Sequence, residues 1–357
     1  MRSSVRKNVH FVARAPEGVL CAAIAVVLLA GSADSRDPAA DGPEETPVLS
    51  GDYLGRTPPG STPQLFAPGV VSTGLYERDI AMTPDGDEIY FGLMTGGEVM
   101  IVGVKRENGV WSAPGIAPCC DDPRVFDLEP CIAPDGRRFL FLSTRPRGGE
   151  EPKPGWDNQD IWAMDRTASG WGEPYHLGPP VDTDAPEFFP SLTRGGTLYF
   201  TREVTADGGE RSVILRARMV DGTYTEPEIL PKEVNPGDHQ FNAFIDPDER
   251  YLIVGIAERE GNIGASDYYV CFRREDDSWK GPVNMGALVN TPENRVVSPY
   301  VSPDGKYFFF ASNRGRETST PEVRRSYEAI QRMASEPQNG SSDVYWVDAS
   351  FIARLRP

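Results

Sequence analysis

The sequence predicts an all-β fold: a five-bladed β-propeller closed by an N-terminal strand, with a small helical insertion in the last blade. Three observations lead there. A Pro-Asp-Gly turn, or a variant of it, recurs every 50 to 60 residues. An apolar, aromatic-rich run follows every turn, and a strand pattern missing at the C-terminus is found near the N-terminus. Four strand-like segments per repeat at this period mark a propeller blade.

In sequence order, residues 1–33 read as a secretory signal peptide. Arg2, Arg6, Lys7 and Arg14 precede the apolar run Val19–Ala30, and the small residues Gly31, Ser32 and Ala33 follow. The run is shorter than the roughly 20 residues that span a bilayer; an uncleaved anchor is the alternative. The expected location is periplasmic or secreted. Residues 34–61, rich in Pro, Gly, Asp and Glu without apolar periodicity, read as a solvated linker.

Gly 36 and Pro 33 in 357 residues are many for a helical protein but short of the roughly 25–30% that signals low complexity. Lys+Arg 36 against Asp+Glu 53 gives a net charge of -17, and the basic leader makes the remainder more acidic still. Such a body is repelled by nucleic-acid phosphates and anionic lipid. With one apolar run, no membrane insertion is expected after leader cleavage. Four cysteines remain then, Cys119, Cys120, Cys131 and Cys271, with no CxxC pair. Cys119 or Cys120 with Cys131 would close a short loop, and buried free thiols are equally compatible with the pattern.

Residues 62–357 carry the repeats. The turns are Thr83-Pro84-Asp85-Gly86, Ala133-Pro134-Asp135-Gly136, Thr193-Arg194-Gly195-Gly196, Asp246-Pro247-Asp248-Glu249 and Ser302-Pro303-Asp304-Gly305. Proline presets the first turn position, and Asp and Gly tolerate the next, so each turn should join two antiparallel strands. The runs that follow, such as Phe139-Leu140-Phe141-Leu142 and Tyr307-Phe308-Phe309-Phe310, suit strands buried on both faces. A third strand opens with Asp160-Ile161-Trp162, Asp267-Tyr268-Tyr269 and Asp343-Val344-Tyr345. A fourth is read from aromatic-x-x-Pro, Trp111 to Pro114, Trp171 to Pro174, Tyr224 to Pro227 and Trp279 to Pro282. Repeat five lacks that segment, and Thr62–Pro68 supplies it, which would close the ring.

Repeat five also holds extra residues at about 318–335. Thr320 as cap, Pro321 and Glu322 in the first turn, and Val323, Tyr327 and Ile330 on one face predict a helix packed on the rim.

The Ser-Pro-Asp-Gly type turn, the aromatic strand, the Arg after it (Thr144-Arg145, Thr201-Arg202, Asn313-Arg314) and the Asp-Ile-Trp type third strand resemble the WD40-like PD40 repeats of TolB-type propellers. The resemblance covers nearly everything from Pro63 to Pro357. It implies a secreted or periplasmic protein with a binding or scaffolding role. Asp160 with Arg145, and Asp343 with Arg314, recur at matching positions and read as structural ties between second and third strands.

The sequence has no G-x-S-x-G elbow, Walker loop, Rossmann fingerprint or H-E-x-x-H. Only His176 and His239 survive leader removal. His176 reads as a surface residue, so no metal ligand is assigned.

The sharper signal is what varies on the first strands, which should line the channel. Five residues before the turn stand Asp79, Glu129, Phe189, Asn242 and Ser298; seven before stand Glu77, Asp127, Glu187, Gln240 and Val296. An offset of two would put both sets on one strand face. The resulting acidic mouth, with Arg78, His239 and Arg295 nearby, is the expected site for a protein, peptide or glycan ligand. Two other readings stand beside this one. Asp79, Glu129 and Glu187 could serve a glycoside hydrolase, which needs paired carboxylates. Or the acids cap strands, bind water or hold Ca²⁺; no other cofactor is indicated.

Overall fold

The computed structural model describes residues 49–148, 150–152, 155–206, 209–293, 296–315 and 326–357. The leader and most of the linker lie outside them. The rest forms five antiparallel blade sheets, each running from an inner to an outer strand, and a separate hairpin of Met219–Val220 with Thr223–Tyr224. Blade one comprises Tyr76–Met82, Glu88–Met94 and Val99–Glu107, with Gly115–Ile116 outermost. Blade two comprises Asp127–Ile132, Arg138–Ser143, Asp160–Thr167 and Tyr175–His176. Blade three comprises Glu187–Leu192, Leu198–Ala206, Gly209–Ala217 and Glu228–Ile229; blade four comprises Gln240–Ile245, Tyr251–Ala257, Ser266–Arg273 and Trp279–Asn284.

Blade five takes Tyr300–Val301, Tyr307–Ser312 and Asp343–Asp348 from the C-terminal end and Gln64–Leu65 from the N-terminal end. Gln64 pairs with Trp346 and Leu65 with Tyr345. The Phe66 amide continues the ladder to the Val344 carbonyl at 2.8 Å. Blade one meets blade five on the other side, where the Met82 amide donates to the Tyr300 hydroxyl at 3.0 Å. The five-bladed ring is therefore closed by hydrogen bonds between the two ends of the described residues.

All five turns close with the amide of the fourth residue donating to the carbonyl of the first, including the Arg194-Gly195-Gly196 and Asp248-Glu249 variants. The fourth residue has positive φ each time, +73° at Gly86 and +55° at Glu249. In the strongest copies the turn aspartate accepts an amide two residues on, as Asp135 Oδ1 does from Arg137 at 3.0 Å. Second strands supply the core between blades: Phe139, Leu140, Phe141, Phe308 and Phe309 are all fully buried.

Three expectations change. The aromatic-x-x-Pro segment is not itself the outer strand in blades one and two. Val110–Trp111 and Gly170–Trp171 extend the tip of the third strand, and the outer strand begins after the proline, which cannot donate to a ladder. The aromatics themselves, Trp111, Trp171 and Trp279, are buried between blades.

The segment read as linker is part of the propeller from Leu49 onward: Asp52–Gly55 forms a helical turn and Leu54 is buried against Phe66, Phe309 and Trp346. Apolar residues within the acidic stretch explain this, and a composition argument passes over them.

The predicted helix is present as α1, Tyr327–Ser335, capped by the Ser326 hydroxyl. Thr320 to Val323 lie outside the described residues. Tyr327 and Ile330 are exposed rather than packed on the rim. The helix is anchored instead at its C-terminal end, where the Asn339 side chain donates to the Gly74 carbonyl at 2.9 Å. The only other α-helix among the described residues, Ser350–Arg354, buries Phe351 and Ile352.

All four cysteines are free thiols. Cys119 and Cys120 stand with sulfurs 3.6 Å apart, and Cys120 accepts the Ile101 amide.

Closure by one short strand pairing, of two residue pairs, and one buried ring makes a direct prediction. Phe66→Ala removes a fully buried side chain at the seam and should cost about 3–5 kcal/mol. Leu75→Ala, at 47% exposure, should stay within about 0.5 kcal/mol. Urea unfolding of both variants checks this. Equal losses would mean that the seam does not carry the fold.

Candidate functional site

The five residues counted five before the turn share one backbone state. Asp79, Glu129, Phe189, Asn242 and Ser298 all have positive φ, between +51° and +63°. In blades one to four the pairing of first and second strands slips across this position, as between Arg78 and Ala81 or Leu128 and Cys131. Each is a β-bulge, which bends the strand and re-aims a side chain. Residues five and seven before the turn therefore do not continue one regular face, and the offset-of-two reasoning fails at the bulge.

The bulge side chains converge on Arg78. Its Nε lies 2.6 Å from Asp79 Oδ2 and its Nη2 2.9 Å from Glu129 Oε1. Glu129 also accepts the Phe189 amide at 2.7 Å and the Asn242 side-chain amide at 3.4 Å. The Ser298 hydroxyl donates to Asp79 Oδ1. Opposite Arg78 stands Gly92, where a Cβ would come within 2.9 Å of Asp79 Oδ2 and 2.6 Å of a Leu128 methyl. Arg78, Asp79 and Glu129 are at most 6% exposed.

Two carboxylates sharing one guanidinium leave a buried excess of negative charge. Burial is the main cause that pushes Glu129 up to about 7, with Asp79 adding and Arg78 opposing. Burial likewise raises Asp79 against the pull of Arg78.

The other predicted residues do not join this hub. Asp127 is bound by Arg145 at 2.6 Å, and burial pushes it up to about 6. Glu187 is bound by Arg202 at 2.6 Å and by the Thr183 hydroxyl at 2.6 Å. Glu77 accepts from Thr73, and burial pushes it up to about 7. Gln240 accepts the Gly237 amide at 3.2 Å. His239 lies half-buried ahead of the blade-four strand, its carbonyl accepting the Ala257 amide. Arg295 lies outside the described residues.

These contacts also correct the recurring ion pair. Arg145 and Arg202 reach back to the first strand, to Asp127 and Glu187, not across to the third. Asp160 is held by Arg147 instead, and Arg314 donates to Ser312 and the Val289 carbonyl. Each of the three recurring arginines lies over the aromatic ring of its second strand, 5.1 to 5.7 Å away at Phe310, Phe200 and Phe141. That stacking fixes where the guanidinium can reach.

On the turn face the channel opens into a cavity of about 270 Å³ drawn from all five blades. Its wall is mixed: Ile80, Met82, Ile132, Leu192, Phe244 and Tyr300 are largely apolar, and Ser191 and Arg194 stand among them. Prolines line its rim, and Asp79 and Ser298 supply polar groups. Sequence reasoning missed this lining, although the residues just before each turn proline spell it out.

A second missed cluster lies on blade two. Asp160, His176 and Asp182 bring one ligand atom each within 4.8 Å of one another. His176 Nε2 stands 3.1 Å from Asp182 Oδ2 and 3.5 Å from Asp160 Oδ2.

No family model and no curated protein matches the sequence. Solved structures do match, at low identity. TolB from Acinetobacter baumannii aligns with 77% of this protein at 15% identity and a TM-score of 0.42; the match takes in 57% of that protein's length. A BT0996 RGII complex aligns with 84% of this protein and 91% of that one, at 9% identity and a TM-score of 0.47. A glycoside hydrolase aligns with 85% and 90%, at 10% and 0.47. The repeats resemble TolB-type repeats, and TolB structures are among these propeller matches.

The hub predicts opposite outcomes for its members. Arg78→Met leaves two buried carboxylates unpaired and should cost about 3–5 kcal/mol. Glu129→Gln leaves a one-to-one pair and should be neutral or stabilising at pH 8. A folded pKa raised above the unfolded one means that stability is greatest at low pH and is lost as pH rises through the folded value. Glu129, Glu77 and Asp127 all have this sign. Stability should therefore fall between about pH 4 and 7, from the unfolded pKa values to the folded ones, by roughly 1.4 kcal/mol per pH unit per proton, and less steeply in Glu129→Gln. Melting curves across that range check both the sign and the slope.

Proposed function

We propose that this protein is a binding propeller that takes an apolar segment of a protein or peptide into the turn-face end of its channel. The observation that carries the reading is the cavity itself. It is concave, built by every blade and walled largely with aliphatic and aromatic side chains. Its few polar groups include Asp79 and Ser298. Such a lining with sparse, placed polar groups is what ligand sites share.

The carboxylates weighed for glycosidic chemistry are engaged elsewhere. Asp79 and Glu129 share Arg78, and Glu187 is held by Arg202 and Thr183. Paired acid and base work needs groups free to exchange protons with a substrate across an open gap. The leader pattern supports a binding event in the periplasm or outside the cell.

Displayed peptide libraries selected against the purified protein test the proposal. Apolar or aromatic peptides should be enriched. Ile132→Trp, which fills the cavity, should weaken the selected peptides at least about tenfold, a loss near 1.4 kcal/mol. Ile229→Ser, on the exposed outer strand of blade three, should leave them unchanged. Peptides that bind Ile132→Trp as well as the parent would sink the reading.

A further inference from the structure

We propose that the outer part of blade two is a binding site for a divalent first-row transition ion of the Zn²⁺ type, held by His176 Nε2, Asp160 Oδ2 and Asp182 Oδ2. The proposal is independent of the channel and its ligand.

The repeat supplies its own control. In blade four the same three positions are Asp267, Asn284 and Asn290. His176 pairs with Trp162 and Asn284 with Tyr269, each two residues past the strand's aspartate. Asp182 Oδ1 accepts the Ile161 amide at 2.9 Å, and Asn290 Oδ1 accepts the Tyr268 amide at 2.8 Å, each one residue past it.

Blade four closes the set with direct hydrogen bonds. Asn284 Nδ2 donates to Asp267 Oδ2 at 2.8 Å and Asn290 Nδ2 to Asn284 Oδ1 at 3.0 Å. Blade two replaces both asparagines, and with them both amide donors. What faces inward is an imidazole nitrogen and two carboxylate oxygens. His176 Nε2 is screened from water and has no hydrogen-bond partner.

The spacing fits an ion. Ligand bonds of about 2.0–2.2 Å at tetrahedral to right angles place donor atoms roughly 2.9–3.5 Å apart. His176 Nε2 lies 3.1 and 3.5 Å from the two oxygens. One nitrogen with two carboxylates favours a transition ion over Ca²⁺ or Mg²⁺, which prefer oxygen alone.

The ligand side chains are also fixed by neighbouring groups, as metal ligands need. Arg147 grips Asp160 through Nε and Nη2, both at 2.7 Å. The Gly178 amide fixes Asp182 Oδ2 at 2.9 Å. The His176 ring lies against Trp162 at 5.5 Å. His176 keeps 21% of its side chain exposed, while its Nε2 and the two aspartates are screened from water.

The rival occupant is a proton on His176, bridging the two aspartates beside Arg147. The test uses the full-length protein, stripped with chelator and titrated with Zn²⁺, Co²⁺, Ca²⁺ and Mg²⁺. Bound metal is measured by elemental analysis and stability by melting temperature. One Zn²⁺ per molecule at micromolar or tighter affinity is expected, with a rise in melting temperature that Ca²⁺ and Mg²⁺ do not match. Co²⁺ should show the visible spectrum of a nitrogen–oxygen site.

The double variant His176→Asn, Asp182→Asn copies blade four. It should fold with a melting temperature close to that of the metal-free parent and bind Zn²⁺ at least 100-fold more weakly. No stoichiometric Zn²⁺ in the parent would overturn the proposal in favour of the proton. So would equal binding by the double variant, which would move the ion to the thiols of Cys119 and Cys120.

Discussion

Five sheets can share one axis only if each first strand turns away from it at the right point. In this protein the turning is done by one residue per blade, held in the left-handed backbone region. Asp79, Glu129, Phe189, Asn242 and Ser298 have little in common as side chains, yet all adopt φ between +51° and +63°. A non-glycine residue in that region carries strain, which persists only where the surroundings over-determine it. Here partners from other blades do so: Glu129 accepts the Phe189 amide, the Thr201 hydroxyl accepts the Asn242 amide, and the Ser298 hydroxyl donates to Asp79.

This constraint explains why the hub is charged. A side chain sent inward by the bulge is almost shut off from water. Blades one and two send carboxylates, which would be untenable without a cation. Arg78, adjacent to the first of them, reaches both, and Gly92 leaves the space that the Asp79 carboxylate and Leu128 fill. Two acids on one base are not neutral, so a raised proton affinity is built into the arrangement. The charge serves the meeting point of the blades, and the cavity proposed to take a ligand borders it, with Asp79 and Ser298 in its lining.

The architecture was legible in the sequence because its signals are local and repeated. A proline, an aspartate and a glycine in a row describe one turn, and five copies of it describe a ring. The orphan strand at residues 62–68 was legible for the same reason. The site was less so, because it depends on where a strand stops being regular. Nothing in Glu77-Arg78-Asp79 announces a bulge; alternation assigns residues 77 and 79 to one face, and the slip in pairing undoes that. The partner of Arg145 is hidden in a similar way. Sequence proximity offers Asp160, but the ring of Phe141 beneath the guanidinium directs it to Asp127.

A repeat protein offers a comparison that a single domain lacks. A feature present in every blade answers to the repeat, and a feature present in one must answer to something else. By that measure the amide-accepting side chain behind the third strand is structural. Asp182, Asn235 and Asn290 all perform it, and the Cys120 sulfur does the same in blade one. What the repeat does not require is an acid at that position with an imidazole beside it. Asparagine performs the same backbone task without adding charge, as blades three and four show. An acid there places a second carboxylate next to Asp160 in a buried setting, a cost that stability alone would not retain. The exception in blade two is therefore where chemistry beyond the fold should be sought, and a cation is the partner that would offset that cost.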